Sequence, residues 1–583
     1  MEKEEKLHNL RHTLAHLLAS AVGKIYKFDK IKLTLGPAIE NGFYYDIDFG
    51  DQKISDSDLK KIEDTMRKEL PKWTTWEQKE LNKEDALNFF KNEYKVELIN
   101  EIAERGEKIT TYTCGGFTDL CRGGHLESPA QNIDPLSFKL DRIAGAYWRG
   151  NEKNKMLTRI YGLAFETKEE LDAYIIQQEE AKKRDHRKIG KELKLFTISD
   201  LVGAGLPLLQ PNGMIIRKEI EDYLWNLHKN KGYSRVWTPH ITKQSLYETS
   251  GHAAKFGNEL FRVKGGDEEF FMKPMNCPHH MQIFVDNQFS YRDMPVRYFE
   301  PATVYRYEKA GQLSGLTRVR AITQDDGHLF CRVSQIGQEV STIVGIIKSF
   351  YTTMNMLDGY WVRFSVRGDD KSKYLGSDEV WDKAENALET AAKENGLNYK
   401  IGRDEAAFYG PKLDFMFKDA IGREWQLATI QCDFNLPERF ELKFTNEKGE
   451  EERPVVIHRA ISGSLERFMG VMIEHFAGAF PLWLSPIQVK VIPVRTNHNE
   501  YAKKVYDLLI ENDIRAEFDD AESNLGGKVR DAKNNKIPYW IVIGDKEIET
   551  NKVTLESRDS GQLGQISQEE LISKLVEEIK DKK

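Results

Sequence analysis

Between Val304 and Leu329 the chain reads VYRYEKAGQLSGLTRVRAITQDDGHL, a stretch dense in groups able to do chemistry. Arg306, Glu308, Arg318 and Arg320 surround a turn carrying Gly311, Ser314 and Gly315. The spacing predicts a hairpin whose first strand leads into Arg306 and whose return strand carries Arg318 and Arg320. Guanidinium groups on neighbouring strands can take phosphate oxygens two at a time. Gln324, Asp325, Asp326 and His328 follow at once, a set suited to a small polar ligand or a metal. A solvated, salt-bridged ribbon fits the same spacing, so both readings stand at this point. Upstream lies FFMKPMNCPHHMQIF with Cys277. Downstream, VVIHRAISGSLERFMGVMIEHF predicts a strand ending at His458, a small-residue turn and a helix carrying Arg467. Packed beneath the hairpin, Arg467 makes a third cation for a triphosphate. A second constellation lies near the N-terminus. His12 and His16 share a helical face, and DLCRGGHLESP offers Cys121 and His125 at the same spacing. By residue chemistry alone these four have the make-up of a zinc site.

The elements that must position these groups need several domains, because 583 residues exceed a single core. Net charge is -8, so contact with nucleic acid must rest on local patches. The start MEKEEKLHNLRH lacks the apolar core of a signal peptide. The most apolar stretch, Phe468 to Leu484, is broken by Glu474 and His475, against a membrane span. Five cysteines in so long a chain suit a reducing compartment, the cytoplasm. LRHTLAHLLASAVGKIY predicts an amphipathic helix, and TKEELDAYIIQQEEAKKRDHRKIGKELKLF a long connector helix ending in a basic patch. From about 200 to 485, runs such as VRYFEPATVYRY, YWVRFSV and EWQLATIQCDF predict a largely antiparallel sheet with helices on it. Beyond LSPIQVKVIPV, strand and helix alternate as in a doubly wound α/β domain. The expected division is 1–180, a linker 181–200, 201–485 and 486–583.

At MNCP, the Arg306-x-Glu308 pair, TQDDGHLFC, WQLATIQCDF, HRAISGSLERF and KRDHRKIGKELKLF the chain resembles the threonyl-tRNA synthetases, a family of class II aminoacyl-tRNA synthetases. The motifs fall in the family's order over essentially the whole chain. The resemblance implies a multidomain α+β and α/β protein. It would have a class II antiparallel-sheet core, an N-terminal α+β editing domain and a C-terminal doubly wound α/β anticodon-binding domain. It implies ATP-dependent attachment of L-threonine to its tRNA through a threonyl-adenylate, with hydrolysis of mischarged seryl-tRNA. It further implies a zinc ion on Cys277, His328 and His458, whose open position takes threonine's amino group and hydroxyl. Valine, with a methyl there, cannot ligate. Gln324, Asp326 and Tyr409 are implied threonine contacts. For ATP, the resemblance assigns Arg306 to the α-phosphate, Glu308 to adenine and Arg467 to the γ-phosphate side, with Arg318, Lys412 and Gln431 as further contacts and Mg²⁺ accompanying the nucleotide. Catalysis would rest on Arg306, Arg318 and Arg467, and His252 matches the family's proton acceptor for transfer to tRNA. His279, His280 and Cys331 read as packing or supporting groups. Two departures stand out: His279 where glycine is common, and Ile322 where an aromatic often stacks on adenine.

The N-terminal constellation then becomes an editing site: His12, His16, Cys121 and His125, with Lys95, Tyr112 and Asp119 as neighbours, working without a metal. Serine lacks only a methyl, worth about 1–3 kcal/mol in binding, so a second hydrolytic site is needed for accuracy. Cys114 reads as structural. Lys528, Arg530, Lys533, Lys546 and Glu547 suit an RNA loop with splayed bases. GYSRVWTPHI resembles the family's dimer motif, implying a homodimer. The resemblance is to a form of the family lacking the ubiquitin-like domain that often precedes the editing domain. The competing readings are a prolyl- or seryl-type synthetase, an inactive synthetase-like RNA-binding regulator, and a zinc hydrolase centred on the first domain.

Overall fold

Leu10, Leu14, Leu17, Leu18 and Val22 recur on one side of the first helix, Glu2–Tyr26, and all are buried. The computed structural model describes residues 2–583, which divide into two compact units with the boundary between residues 179 and 180. In the first unit the helix packs on strand Gly42–Asp48 of an antiparallel sheet completed mainly by Met156–Ala164 and Phe138–Tyr147. A smaller sheet, Glu77–Leu81, Ile109–Cys114 and Phe117–Leu120, carries Tyr112 and Asp119. Its second turn needs Gly115, at φ +58, where a Cβ would come within 2.3 Å of the Trp73 ring.

The second unit is built on eight strands. Their order is Tyr233–Arg235, Val296–Tyr305, Ala321–Cys331, Val455–Ser464, Glu424–Asp433, Lys412–Lys418, Trp361–Val366 and Tyr399–Arg403. Inner neighbours run antiparallel; only the two outermost pairs are parallel. Helices Pro211–His228, Ile336–Thr353 and Leu465–His475 bury their apolar sides in the core beneath it. The sheet registers in rungs. Tyr298, His328, His458, Gln431 and Lys412 stand opposite one another on five successive strands. Side chains so aligned share one face, with strands roughly 4.8 Å apart.

One irregularity shapes that face. Gln324 pairs with Ser464, but Asp326 pairs with Ala460, so Ile461–Gly463 bulge away. The buried Asp325 carboxylate holds the bulge by accepting N–H bonds from Ile461 (2.9 Å), Ser462 (3.1 Å) and Gly463 (3.1 Å). Burial still pushes its pKa up to about 6 against Arg459 and these donors.

Three sequence expectations need correction. The return strand begins at Ala321, so Arg318 and Arg320 lie in the connecting loop, whose tight reversal is Ser314–Arg318. The connector is not one helix. It breaks into Lys168–Lys183 and His186–Glu192, because the Asp185 side chain caps the second by accepting the Arg187 N–H at 2.8 Å. In the last domain the parallel strands Ala516–Phe518, Val489–Pro493 and Tyr539–Ile543 are extended by an antiparallel pair, Val553–Ser557 and Gly561–Ile566, whose polar, glycine-bearing sequence gave no strand signal. No described helix is long and apolar enough to cross a membrane.

Candidate functional site

Cys277 opens helix Cys277–Val285, while His328 and His458 face each other on neighbouring strands. One ligand atom from each of the three lies within 4.8 Å of the others, and all three residues are buried. Burial, with Asp326 and Asp433 nearby, pushes the Cys277 thiol well up; burial pushes His328 well down. Each histidine has its outer nitrogen engaged: His328 Nδ1 lies 2.8 Å from His280 Nδ1, and His458 Nε2 lies 2.9 Å from Asp433 Oδ2. His280 in turn meets Glu300 at 2.9 Å, and Glu300 accepts the Thr238 N–H at 2.7 Å. Each ring thus keeps its other nitrogen for a metal, with outer partners that fix its orientation. One sulfur and two imidazole nitrogens fit zinc with an open fourth position.

Beside the trio, Asp326 Oδ2 accepts a bond from Asn276 Nδ2 at 3.0 Å. Asn276 Oδ1 and Gln324 Oε1 are buried acceptors without a partner among the described residues. Such orphans suit a ligand rich in N–H and O–H donors. Tyr409 is buried with its ring centroid 5.1 Å from that of His458. Asn276 was missed in the sequence, although it stands inside MNCP, because nothing in its spacing points to Asp326.

The cations flank this pocket. Arg306 donates to the Pro274 carbonyl at 3.3 Å, its guanidinium 5.1 Å from the Phe256 ring centre. Glu308 and Arg318 form an ion pair at 2.9 Å. Arg467 follows the Ser464 cap, lies 5.7 Å from the Trp425 ring centre, and leaves its buried Nε without a partner. Burial and the Arg318 charge lower its pKa. Lys412 contacts Asp414 at 2.6 Å, and Gln431 donates to the Gly410 carbonyl at 3.1 Å. His252 is buried, with Nδ1 2.8 Å from Ser250 Oγ and Nε2 3.8 Å from Cys277 Sγ. Burial, then the charges of His458 and Arg306, bring its pKa down to about 3.

The first unit holds a separate site, a cavity of about 350 Å³ reached by His12, His16, Lys95, Asp119 and Cys121. His12 Nε2 lies 3.2 Å from His16 Nε2 and 3.5 Å from Cys121 Sγ, and His125 Nε2 lies 3.3 Å from the same sulfur. Outer atoms are fixed here too. His12 Nδ1 meets the Gly124 carbonyl at 3.1 Å, and His16 Nδ1 meets Asp119 at 3.3 Å. Asp119 also binds Lys95 Nζ and accepts the Tyr45 hydroxyl at 2.6 Å. Burial opposes ionisation of Cys121, but hydrogen bonds from His12, His125 and His16 outweigh it and bring the thiol down to about 3. Burial also opposes charge on His16, yet Asp119 and Cys121 raise it to about 9. The result is a buried chain of alternating charge. Tyr112 sets its ring edge against His125 at 4.7 Å. Trp76, unnoticed in the sequence, stacks on His125 at 3.9 Å; its place between charged residues of PKWTTWEQK was the available signal. Cys114 is buried, and its thiol is pushed up to about 11 by that burial.

In the C-terminal domain, two residues expected at an RNA face are turned inward. Lys528 is buried and donates to the carbonyls of Pro493 (3.3 Å) and Asp519 (2.8 Å). Glu547 accepts from Thr554 (2.7 Å) and Gln565 (3.0 Å). Arg530, Lys533 and Lys546 remain exposed.

Residues 261–476 match the family model described as tRNA synthetase class II core domain (G, H, P, S and T). Residues 488–578 match the anticodon binding domain, and residues 109–161 the threonyl and alanyl tRNA synthetase second additional domain. The threonine–tRNA ligase of Sulfurihydrogenibium sp. (strain YO3AOP1) is 46% identical over 589 residues, covering 100% of this chain and 90% of the relative. That of Porphyromonas gingivalis is 50% identical over 568 residues, covering 96% and 86%. Among solved structures, the RNA binding domain of threonyl-tRNA synthetase from Cryptosporidium parvum Iowa II aligns with a TM-score of 0.65 at 35% identity, over 67% of this chain and 98% of that one. The putative threonyl-tRNA synthetase ThrRS-1 from Aeropyrum pernix aligns with a TM-score of 0.60 at 29% identity, over 69% and 96%.

Proposed function

Since the chain belongs to the threonine–tRNA ligase family, we propose that it joins L-threonine to its tRNA at the expense of ATP and hydrolyses mischarged seryl-tRNA. The observation that carries this reading is the rung setting His328 and His458 opposite each other, with Cys277 against them and Gln431 and Lys412 in line. Cys277, His328 and His458 would hold a zinc ion, which would supply a Lewis-acidic position for the substrate's amino group and hydroxyl. Mg²⁺ bound with ATP would supply positive charge against that of the phosphates.

The chain's own residues do the rest by positioning and charge. Asp326, oriented by Asn276, accepts an N–H of threonine's neutral amino group, and Gln324 and Tyr409 close around it. Arg306 holds the α-phosphate while the threonine carboxylate attacks it and pyrophosphate leaves. Glu308 meets adenine, Arg318, Lys412 and Gln431 steady the adenylate, and Arg467 takes the γ-phosphate side. Charge that develops on the α-phosphoryl oxygens is met by guanidinium groups already in place. In the second step a terminal ribose hydroxyl of the tRNA attacks the adenylate. His252, buried beside Cys277, is the acceptor for its proton.

In the first unit, Cys121, His125, His12 and His16 position and activate water against the seryl ester, with Lys95, Tyr112 and Asp119 supporting them. A second reading of this cluster is favoured by one observation: its four donor atoms lie within 4.8 Å of one another, enough for a metal. The remaining assignments are a homodimer acting in the cytoplasm, with 1–180, 181–200, 201–485 and 486–583 as editing domain, linker, catalytic domain and anticodon-binding domain. An inactive RNA-binding relative would have no use for Arg306, Arg318 and Arg467 together.

ATP–pyrophosphate exchange with threonine, serine and valine tests the synthetic reading. Exchange with threonine and serine but not valine is expected; exchange with none would overturn it. Hydrolysis of seryl-tRNA that survives exhaustive chelation supports the metal-free editing site, and loss restored by zinc supports the second reading.

A further inference from the structure

The break in the connector places His186 where three elements of the second unit meet. Its ring is buried, and both nitrogens are engaged. Nδ1 lies 2.6 Å from Glu474 Oε1, and Nε2 accepts the Leu316 N–H at 3.0 Å. A backbone N–H can only donate, so Nε2 carries no proton and Nδ1–H donates to Glu474: a single neutral tautomer. Glu474 lies in helix Leu465–His475, about two turns beyond Arg467 and on the same side of it. Its other oxygen meets Arg423 at 2.6 Å, and Arg184 donates to the His475 carbonyl at 2.9 Å. Leu316 sits in the tight reversal Ser314–Arg318, where the Arg318 N–H returns to the Ser314 carbonyl at 3.1 Å.

The contact leaves no slack. Gly315 has φ +47, and a Cβ there would come within 2.1 Å of His186 Nε2. Asp185, His186 and Glu474 are close enough to hold a metal. The hydrogen-bond partners already on both ring nitrogens and both Glu474 oxygens make the cluster a tie between elements instead.

We propose that His186 is a positioning residue for the nucleotide, fixing the loop that carries Arg318 and the helix that carries Arg467 to one another. The inference rests on the assignment of Arg318 and Arg467 to ATP. Neither arginine touches His186; it acts through the backbone of the reversal and through the helix. Threonine's own contacts, Gln324, Asp326 and the Cys277 trio, share no hydrogen bond with His186, whose partners are Glu474 and Leu316, so the larger effect is expected on ATP.

The test is ATP–pyrophosphate exchange by the full chain. His186→Leu fills the ring's space and removes both hydrogen bonds, whereas His186→Gln keeps one donor and one acceptor. His186→Leu is expected to raise the KM for ATP about tenfold or more, with the KM for threonine and the zinc content changed less than about twofold. His186→Gln should recover most of the loss. Gly315→Ala, which pushes the reversal off the ring, carries the same expectation and decides the matter if His186→Leu does not fold. An unchanged KM for ATP, or equal rises for ATP and threonine with a lower Tm, would overturn the proposal. Arg467→Ala separates the two levels. If it leaves the KM for ATP unchanged, the nucleotide assignment itself fails; if it raises the KM while His186→Leu and Gly315→Ala do not, only the positioning role fails.

Discussion

Alkylation of Cys121 by iodoacetamide should be nearly independent of pH between about pH 5 and pH 8. An ordinary thiol, with a pKa of about 8.5, loses a factor of about ten in thiolate for each unit below that. Cys121, brought down to about 3 by His12, His125 and His16 against its burial, stays a thiolate throughout. A stabilised thiolate is also a weaker nucleophile: over roughly 5.5 units, a Brønsted slope of about 0.45 costs about 2.5 decades of intrinsic rate. The two effects cross near pH 6. Cys121 should therefore react about tenfold faster than a free thiol at pH 5, and nearly 100-fold slower at pH 8. The other four cysteines are buried with raised thiol pKa values, so mass spectrometry should find one labelled site. His16→Gln removes the cation that helps hold the thiolate, and the variant should regain part of the ordinary slope. A tenfold rise per unit in the unsubstituted protein would refute the reasoning. A flat but slow profile that quickens only after chelation would instead mark a metal-bound thiolate. The same network sets a stability window. His16 is raised to about 9, so its contribution is complete below its ordinary 6.5 and is lost as pH climbs through about 9.

Asp433→Asn leaves the His458 bond in place but removes its charge, and zinc affinity should fall about 10–100-fold in a chelator competition. Arg467→Ala should lower kcat/KM for ATP by about 10- to 100-fold, the equivalent of roughly 1.5–3 kcal/mol for a hydrogen bond to a charged group. His228, stacked on Phe299 at 5.0 Å, is held at about 2 by burial and then by Arg459. A depressed histidine contributes stability above its ordinary pKa and loses it as pH falls. The second unit should thus lose about 1.4 kcal/mol per unit below pH 6.5, and His228→Phe should flatten that slope in denaturant titrations at about pH 4.5 to 7.

Residues whose placement follows from strand alternation or helical spacing were legible in the sequence. His12 and His16, four apart, do share a helix face. Gln324, Asp326 and His328 do alternate along one strand, and the motif string carried Cys277 and His458 to it. What stayed hidden depends on partners far away in the chain. Asp325 looked like one more ligand beside Asp326, but it points the other way and grips the Ile461–Gly463 bulge. Lys528 and Glu547 looked free for RNA because charge is usually exposed, whereas the fold spends them on backbone carbonyls and on Thr554. Arg318 was read onto a strand because RVRAITQ has the composition of one; the loop's own hydrogen bonds and the seat on His186 delay the strand until Ala321.

The unbroken register between Val296–Tyr305 and Ala321–Cys331 makes the second of these strands a gauge. Alternate residues stand about 7 Å apart, so Gln324 and His328 mark out roughly 14 Å. A substrate is measured against those graduations, not moulded by a deformable wall. A one-residue insertion or deletion between Ala321 and His328 would keep the backbone ladder yet turn the side chains beyond it to the opposite face. A change of length in the Arg306–Arg320 loop would leave every graduation where it was, and its effect would fall instead on the reversal seated on His186.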